Sequence, residues 1–330
     1  MKANKSIALA GFAFLMLIVL IVAKLQPDDP SEADDFSKIR IGYLPIAAEL
    51  PLFVAVEQGY LEEEGFNVEL VRFTSSNELG NAATAGHIDV MSGTATNVVF
   101  DIAAVSGKKH QLFIVNPYSN TAGHITDHMI VRKGSGISDL SELSGKKIAS
   151  FPGSVNRIFV NLILEKYGVN RESYEYVEMS PSNWQPALES GSIDAVSALE
   201  PAATQIMYDG VGETIFPGFY ADLMEDVPLS GHWVSSDYFS RVDRRELDAL
   251  LMAYSRAIDY IRSNEEEARI YLVEYANVRQ EILQSINLNP WKSLGEIDLQ
   301  QLQKFADILY ENGALQSKIL ASDFLKLKEQ

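Results

Sequence analysis

Ala85-Gly86-His87-Ile88-Asp89-Val90 runs into Met91-Ser92-Gly93-Thr94, and the phrase returns later in the chain. The second copy is Ser190-Gly191-Ser192-Ile193-Asp194-Ala195-Val196, running into Ser197-Ala198-Leu199-Glu200-Pro201. Each reads the same way. A helix ends on a glycine, which accepts the left-handed conformation beyond the last helical turn. A short apolar strand follows and stops at small polar residues or at Glu-Pro, where another helix begins. Two such units predict two similar α/β lobes. In open α/β sheets, ligands bind outside the carboxyl ends of the strands. Two lobes presenting those ends to one crevice form a clamp for a small molecule.

Outward from these phrases, strands and helices alternate. Strands are expected over residues 39–44, 68–73, 88–91, 111–115, 129–131, 147–151, 174–178, 193–198, 213–216 and 232–234. Helical segments fill most of the gaps, and residues 116–128 read as a loop rich in Asn, Thr, Gly and His. From Arg244, apolar residues recur at helical spacing (Leu247, Leu250, Leu251, Tyr254, Ile258, Ile261), so a helical tail closes the chain. This order predicts an α/β fold with parallel-rich sheets and a C-terminal helical tail.

Composition narrows the function. A formal net charge of -18 argues against nucleic acid and anionic membrane surfaces as partners. The chain has no cysteine, which excludes disulfides, zinc-thiolate sites, cysteine nucleophiles and a lipid-modified cysteine anchor. Lys2 and Lys5 precede an unbroken apolar run from Ile7 to Ala23, and acidic residues follow it. As a helix the run spans about 25 Å, long for a signal h-region. The charge bias places the N-terminus in the cytoplasm and the rest outside. Residues 1–36 are therefore expected to be a membrane anchor or signal plus a polar tether. The chain from Ser37 onward is expected to fold alone as a monomer.

The ordered phrases Ile41-Gly42-Tyr43-Leu44-Pro45, Leu52-Phe53-Val54-Ala55 and Gln58-Gly59-Tyr60-Leu61-Glu62-Glu63-Glu64-Gly65-Phe66 precede the first Gly-Ile-Asp unit. Leu143-Ser144-Gly145-Lys146-Lys147-Ile148-Ala149 and Glu200-Pro201 complete the set. With these, the chain resembles type II periplasmic solute-binding proteins of the nitrate/sulfonate/taurine group of ABC transporters, which share a fold with thiamine-pyrimidine binders. The resemblance covers roughly residues 39–208. It implies a two-lobed periplasmic binding protein-like II fold, with lobe one at 37–123 and 232–330 and lobe two at 124–231. It also implies hinge closure around ligand, ABC permease subunits as partners, no cofactor, and a place in the periplasm or on the outer face of the cytoplasmic membrane.

Four strand ends are expected at the cleft: Pro45; Ser92, Gly93, Thr94, Thr96 and Asn97; Gly153, Ser154 and Asn156; and Glu200. Three of them put backbone N–H groups and hydroxyls at a helix N-terminus, which suits a sulfonate, nitrate or carboxylate. Helix capping is the competing explanation for Ser92, Thr94, Thr96 and Ser154. Glu200 would repel an anion and instead suits an amine, unless it is structural. Tyr118, Trp184, His232 and Trp233 can stack on a ligand, Trp233 fitting a core position better. Arg157 sits badly for the dipole of its helix, which an anionic partner would explain, as would a plain surface position. His124 and His128 share an i, i+4 spacing but lie in a loop-like stretch, so no metal site is expected. The leading expectation is a receptor without chemistry of its own. The alternatives are an aminopyrimidine binder or an enzyme on the same fold, and the missing cysteine disfavours a pyrimidine synthase.

Overall fold

The computed structural model describes residues 38–118 and 123–328. The apolar run at residues 7–23 and its tether lie outside them. Among the described residues no helix is long and apolar enough to cross a membrane.

The strands are β1 (Ile39–Tyr43), β2 (Val68–Arg72), β3 (Val90–Ala95), β4 (Gln111–Tyr118), β5 (Asp127–Arg132), β6 (Lys147–Ser150), β7 (Glu175–Glu178), β8 (Ala195–Leu199), β9 (Gly212–Pro217), β10 (Val227–Val234) and β11 (Lys292–Ser293). The helices are α1 (Leu50–Glu57), α2 (Tyr60–Glu63), α3 (Ser76–Thr84), α4 (Thr96–Ser106), α5 (Ser154–Lys166), α6 (Pro181–Ser190), α7 (Ala202–Tyr208), α8 (Ser236–Arg241), α9 (Arg244–Ser263), α10 (Glu265–Ala268), α11 (Tyr271–Ala276) and α12 (Leu299–Glu311). Among the described residues they build a six-stranded sheet, β11-β4-β10-β3-β1-β2, and a five-stranded sheet, β7-β6-β8-β5-β9.

The repeated phrase performs the same task in both sheets. Gly86 and Gly191 each adopt φ 73. The following residue returns to the helix, His87 N to Ala82 O at 2.8 Å and Ser192 N to Ala187 O at 2.9 Å. Ile88 and Ile193 are buried. The aspartate then clamps the start of the neighbouring strand. Asp89 N donates to Arg40 O while Arg40 N donates to Asp89 Oδ2 at 2.9 Å. Asp194 N donates to Lys147 O while Lys147 N donates to Asp194 Oδ2 at 2.9 Å. The motif thus sets parallel register, β1 beside β3 and β6 beside β8.

The sheets are mixed, not parallel throughout. β1 with β2 and β3, and β6 with β7 and β8, are parallel. β10 runs antiparallel between β3 and β4, and β5 antiparallel between β8 and β9. Each antiparallel strand serves a passage of the chain between sheets. The expected short strand at 232–234 is the end of the eight-residue β10, whose residues 227–231 also pair within the six-stranded sheet. The loop expected at 116–128 shrinks, because β4 runs to Tyr118 and β5 starts at Asp127. The tail is helical except for β11, which adds to β4.

The tail packs because its pattern is amphipathic. Asp243 caps α9 through Glu246 N at 2.9 Å. Leu247, Leu250, Tyr254, Ile258 and Ile261 are buried against the α1 side of the six-stranded sheet. A second core lies under the five-stranded sheet around Trp184, Leu188, Val196 and Ile206. A third joins the two units, with Phe159 of α5 meeting Phe305 of α12 at 5.9 Å between ring centroids.

Candidate functional site

A cleft of about 640 Å³ opens between the two sheets. Strand ends supply its walls, as expected for parallel α/β units. From the six-stranded unit come Leu44, Pro45 and Ile46 after β1, and Arg72, Phe73 and Thr74 after β2. Gly93 and Ala95 of β3, Tyr118 of β4 and Ser230 of β10 join them. The five-stranded unit contributes Phe151, Val155 and Asn156 after β6, Ser180 to Ser182 after β7, and Leu199, Glu200 and Pro201 after β8. Most of these are apolar; the charged lining residues are Arg72 and Glu200.

Pro45, Gly93, Tyr118, Asn156 and Glu200 line this cleft. Ser92, Thr94, Thr96, Asn97, Gly153, Ser154 and His232 do not line the cleft. Ser92 and His232 lie inside the six-stranded unit, where Ser92 Oγ and His232 Nδ1 bond at 2.6 Å. His232 packs against Phe113 and Tyr254, and burial pushes its imidazole down to about 3, so it stays neutral. Thr94, Thr96 and Asn97 are buried behind the wall. Trp184 is buried, its indole N–H donating to Met179 O at 2.9 Å, and only part of it reaches the cleft surface. Trp233 is core. Arg157 has an intramolecular anion, Glu178, at 3.0 Å and stacks on Tyr176. His124 and His128 bond to Leu288 O and Thr214 Oγ1, and among the described residues no cluster of three metal-ligating side chains occurs.

Helix capping does not explain the hydroxyls at the strand ends. α4, α5 and α6 start at the cleft, beside Ala95, Asn156 and Pro181, and none has a side-chain cap. Other helices are capped: Ser75 on α3, Ser235 on α8, Asp243 on α9 and Asp298 on α12. The first turns of α4 and α5 thus offer backbone donors that no capping side chain takes. Asn156 adds a directed donor. Its Oδ1 accepts from the Tyr220 hydroxyl at 3.1 Å, which leaves the amide nitrogen as the end free to donate. Tyr220 is itself held by Asp127, whose Oδ1 accepts Tyr220 N at 2.8 Å.

Glu200 behaves differently. It is 7 % exposed and accepts from Thr204 Oγ1 at 2.8 Å and Thr204 N at 3.2 Å, binding the start of α7. Burial pushes its carboxyl up to about 7, against the hydrogen bonds from Thr204 and the Asn287 N–H. A second carboxyl, Glu49, escapes the sequence reading. It is fully buried, and neither oxygen has a hydrogen-bond partner of good geometry. Burial raises its pKa well above the ordinary carboxylate range, opposed by the Ser92 hydroxyl. It sits behind Gly93, in the space a side chain there would fill.

Other residues missed in the sequence have a clear signal. β2 and β7 are parallel strands, so the rule that placed the four strand ends applies equally to Arg72–Thr74 and Ser180–Ser182. Ala276, Asn277, Val278 and Ile282, which also line the cleft, had no such signal. They come from the tail, and only tertiary packing brings them there.

Comparison with known proteins agrees with this architecture. A family model described as the NMT1-like family matches residues 32–275. A Bacillus subtilis protein named for aliphatic-sulfonate binding is 23% identical over 322 residues, covering 95% of this chain and 93% of its own. A 4-amino-5-hydroxymethyl-2-methylpyrimidine phosphate synthase of Schizosaccharomyces pombe is 25% identical over 151 residues, 46% of this chain and 41% of its own. The MOPS-bound alkanesulfonate-binding protein SsuA of Xanthomonas axonopodis superimposes with a TM-score of 0.72 at 18% identity, covering 88% of this chain and 98% of that one. The periplasmic nitrate-binding protein NrtA of Synechocystis gives 0.68 at 17%, covering 90% and 86%. The fold is that of the periplasmic binding proteins.

Proposed function

The chain belongs to the NMT1-like family, and from that premise we propose that it is the solute-binding receptor of an ABC importer, closing two lobes on a small anionic or zwitterionic molecule. The two sheets are the cores of those lobes, and the passages near residues 123–126 and 218–226 are the hinge. The receptor works as a monomer on the outer face of the cytoplasmic membrane, held there by residues 1–36. No step of chemistry is assigned to it.

One observation carries the reading of the ligand. Three of the helices that start at the cleft, α4, α5 and α6, lack side-chain caps, although α3, which also starts there, is capped by Ser75. An oxyanion such as a sulfonate satisfies such donors, and the helix dipoles favour it. Asn156 supplies a further donor. The apolar walls at Phe73, Phe151 and Val155 suit a carbon chain or ring between the polar ends. Glu200 stands on the same cleft as a carboxyl for an amine, as in taurine.

Titration calorimetry on the full chain with taurine, MOPS and nitrate tests this. Binding of at least one sulfonate, with no altered product under single-turnover conditions, supports the receptor. Binding of none, together with binding of 4-amino-5-hydroxymethyl-2-methylpyrimidine, favours the second reading, an aminopyrimidine receptor. That reading draws on Glu200 and on the Schizosaccharomyces relative. Conversion of any probe would refute both.

A further inference from the structure

The tail does more than support the six-stranded sheet. α11 ends at Asn277, whose φ of 54 turns the chain sharply, and the next turn runs Gln280–Ser285. Asn tolerates this left-handed conformation better than most residues. The turn carries Asn277, Val278 and Ile282 over the cleft, facing Gln205 and Ile206 of α7 in the other unit.

Its two sides are held by different forces. On its own side the segment is fixed by burial: Ile282, Leu283 and Ile286 belong to the core beneath α9. Arg269, buried under it, donates to Leu283 O at 2.7 Å and Ile286 O at 2.6 Å, while pairing with Glu265. On the far side the contacts are polar. Arg279 donates through Nε to Gln205 Oε1 at 2.8 Å and through its terminal nitrogen to Asp209 Oδ1 at 2.6 Å, and it stacks on Tyr208. Thr204 Oγ1 meets Ser285 O at 3.4 Å, and Asn287 N–H points to Glu200. Ion pairs this exposed contribute little to stability and separate readily. Apolar anchoring on one side and exposed polar contacts on the other make the joint easy to part at one edge.

We infer that residues 277–287 form a strap, rooted in the six-stranded unit and clasped by Arg279 to α7, that shuts one mouth of the cleft. The inference rests on reading the cleft as the ligand site. Glu200 touches both the strap and the cleft, so an occupant at Glu200 bears on the clasp.

The chain has no cysteine, so two introduced cysteines label cleanly. Nitroxides at Glu189→Cys on α6 and Glu281→Cys on the strap, both exposed sites, report the gap across the mouth by pulsed electron resonance on the full chain in detergent. The parent should show one short distance. Arg279→Ala should add a longer population of up to about five-fold greater weight than in the parent, 1 M NaCl on the parent should shift it the same way, and Arg279→Lys should restore part of the short one. An unchanged distribution in Arg279→Ala, in a protein whose circular dichroism matches the parent, overturns the strap. Saturating taurine and MOPS are then added to Arg279→Ala. Recovery of the short distance supports strap and ligand site together. Opening by Arg279→Ala without recovery by either probe keeps the strap and counts against the sulfonate reading.

Discussion

Gly93→Ala puts the packing behind the cleft wall to a severe test. A methyl group built on Gly93 lies 1.3 Å from Glu49 Oε1 and 2.5 Å from its Cδ. Real contacts of this kind essentially never fall below 3.0 Å, so the carboxyl must retreat by roughly 2 Å within a close-packed interior. Overpacking of that order costs about 1–3 kcal/mol. Gly93 also holds φ 68, and an alanine there adds about 1–2 kcal/mol of backbone strain. The total is about 2–5 kcal/mol, enough to lower the unfolding midpoint clearly. The two parts separate in a double-mutant cycle. Glu49→Ala removes the obstacle, so Gly93→Ala in that background should cost only the backbone strain. Urea titrations of the four proteins should therefore give a coupling of about 2 kcal/mol. Additivity within about 0.5 kcal/mol would show that Glu49 does not occupy the place of the missing side chain.

Three further outcomes are expected. Burial raises the pKa of Glu200 to about 7, so the folded chain keeps a proton that the unfolded chain releases. Its contribution is therefore complete below the unfolded value and is lost as pH rises toward 7, by about 3 kcal/mol in all; Glu200→Gln should flatten that slope in melting curves from pH 5 to 8. Burial also acts to raise Asp89, but its bonds to Arg40 and Arg241 prevail and lower it. That stability is present above the unfolded value and lost as pH falls through the folded one; Asp89→Asn should cost about 3 kcal/mol at pH 7, and a loss under 1 kcal/mol would contradict the clamp. Asn156→Ala should weaken MOPS binding by roughly 10- to 150-fold in calorimetry, the worth of one hydrogen bond to a charged group, and an unchanged affinity would remove Asn156 from the site.

Much of this architecture is legible in the chain because local chemistry dictates it. The glycine that ends a helix, the buried isoleucine and the clamping aspartate are fixed by turn geometry and hydrogen bonding within a few residues. Hence both Gly-Ile-Asp units, and the strand ends they deliver to the cleft, can be read directly. Strand direction cannot. β5 and β10 alternate no differently for running antiparallel, since a buried strand is apolar in either sense. Side-chain facing at strand ends is equally hidden. Ser92 bonds to His232 inside the unit, while its neighbour Gly93 reaches the cleft only through its backbone, since a side chain there would point at the buried Glu49. Glu49 and the strap are invisible for another reason: their partners lie far away in sequence, Gly93 for one and α7 for the other.

The position of β10 bears on how the molecule reaches its native state. Asn116 on β4 bonds to Ser230 on β10 across a separation of 114 residues, and β10 is also the neighbour of β3. The six-stranded sheet stays split until that strand arrives, with β4 and β11 parted from β3, β1 and β2. Closing a floppy loop of that length costs on the order of 4 kcal/mol in chain entropy. The cost falls if the intervening residues have already condensed, and the five-stranded sheet draws all its strands from that one continuous stretch. The inserted unit should therefore acquire hydrogen-exchange protection first and act as a short, stiff linker that delivers β10. The surrounding unit, though it begins earlier in the chain, should complete last and set the slow rate.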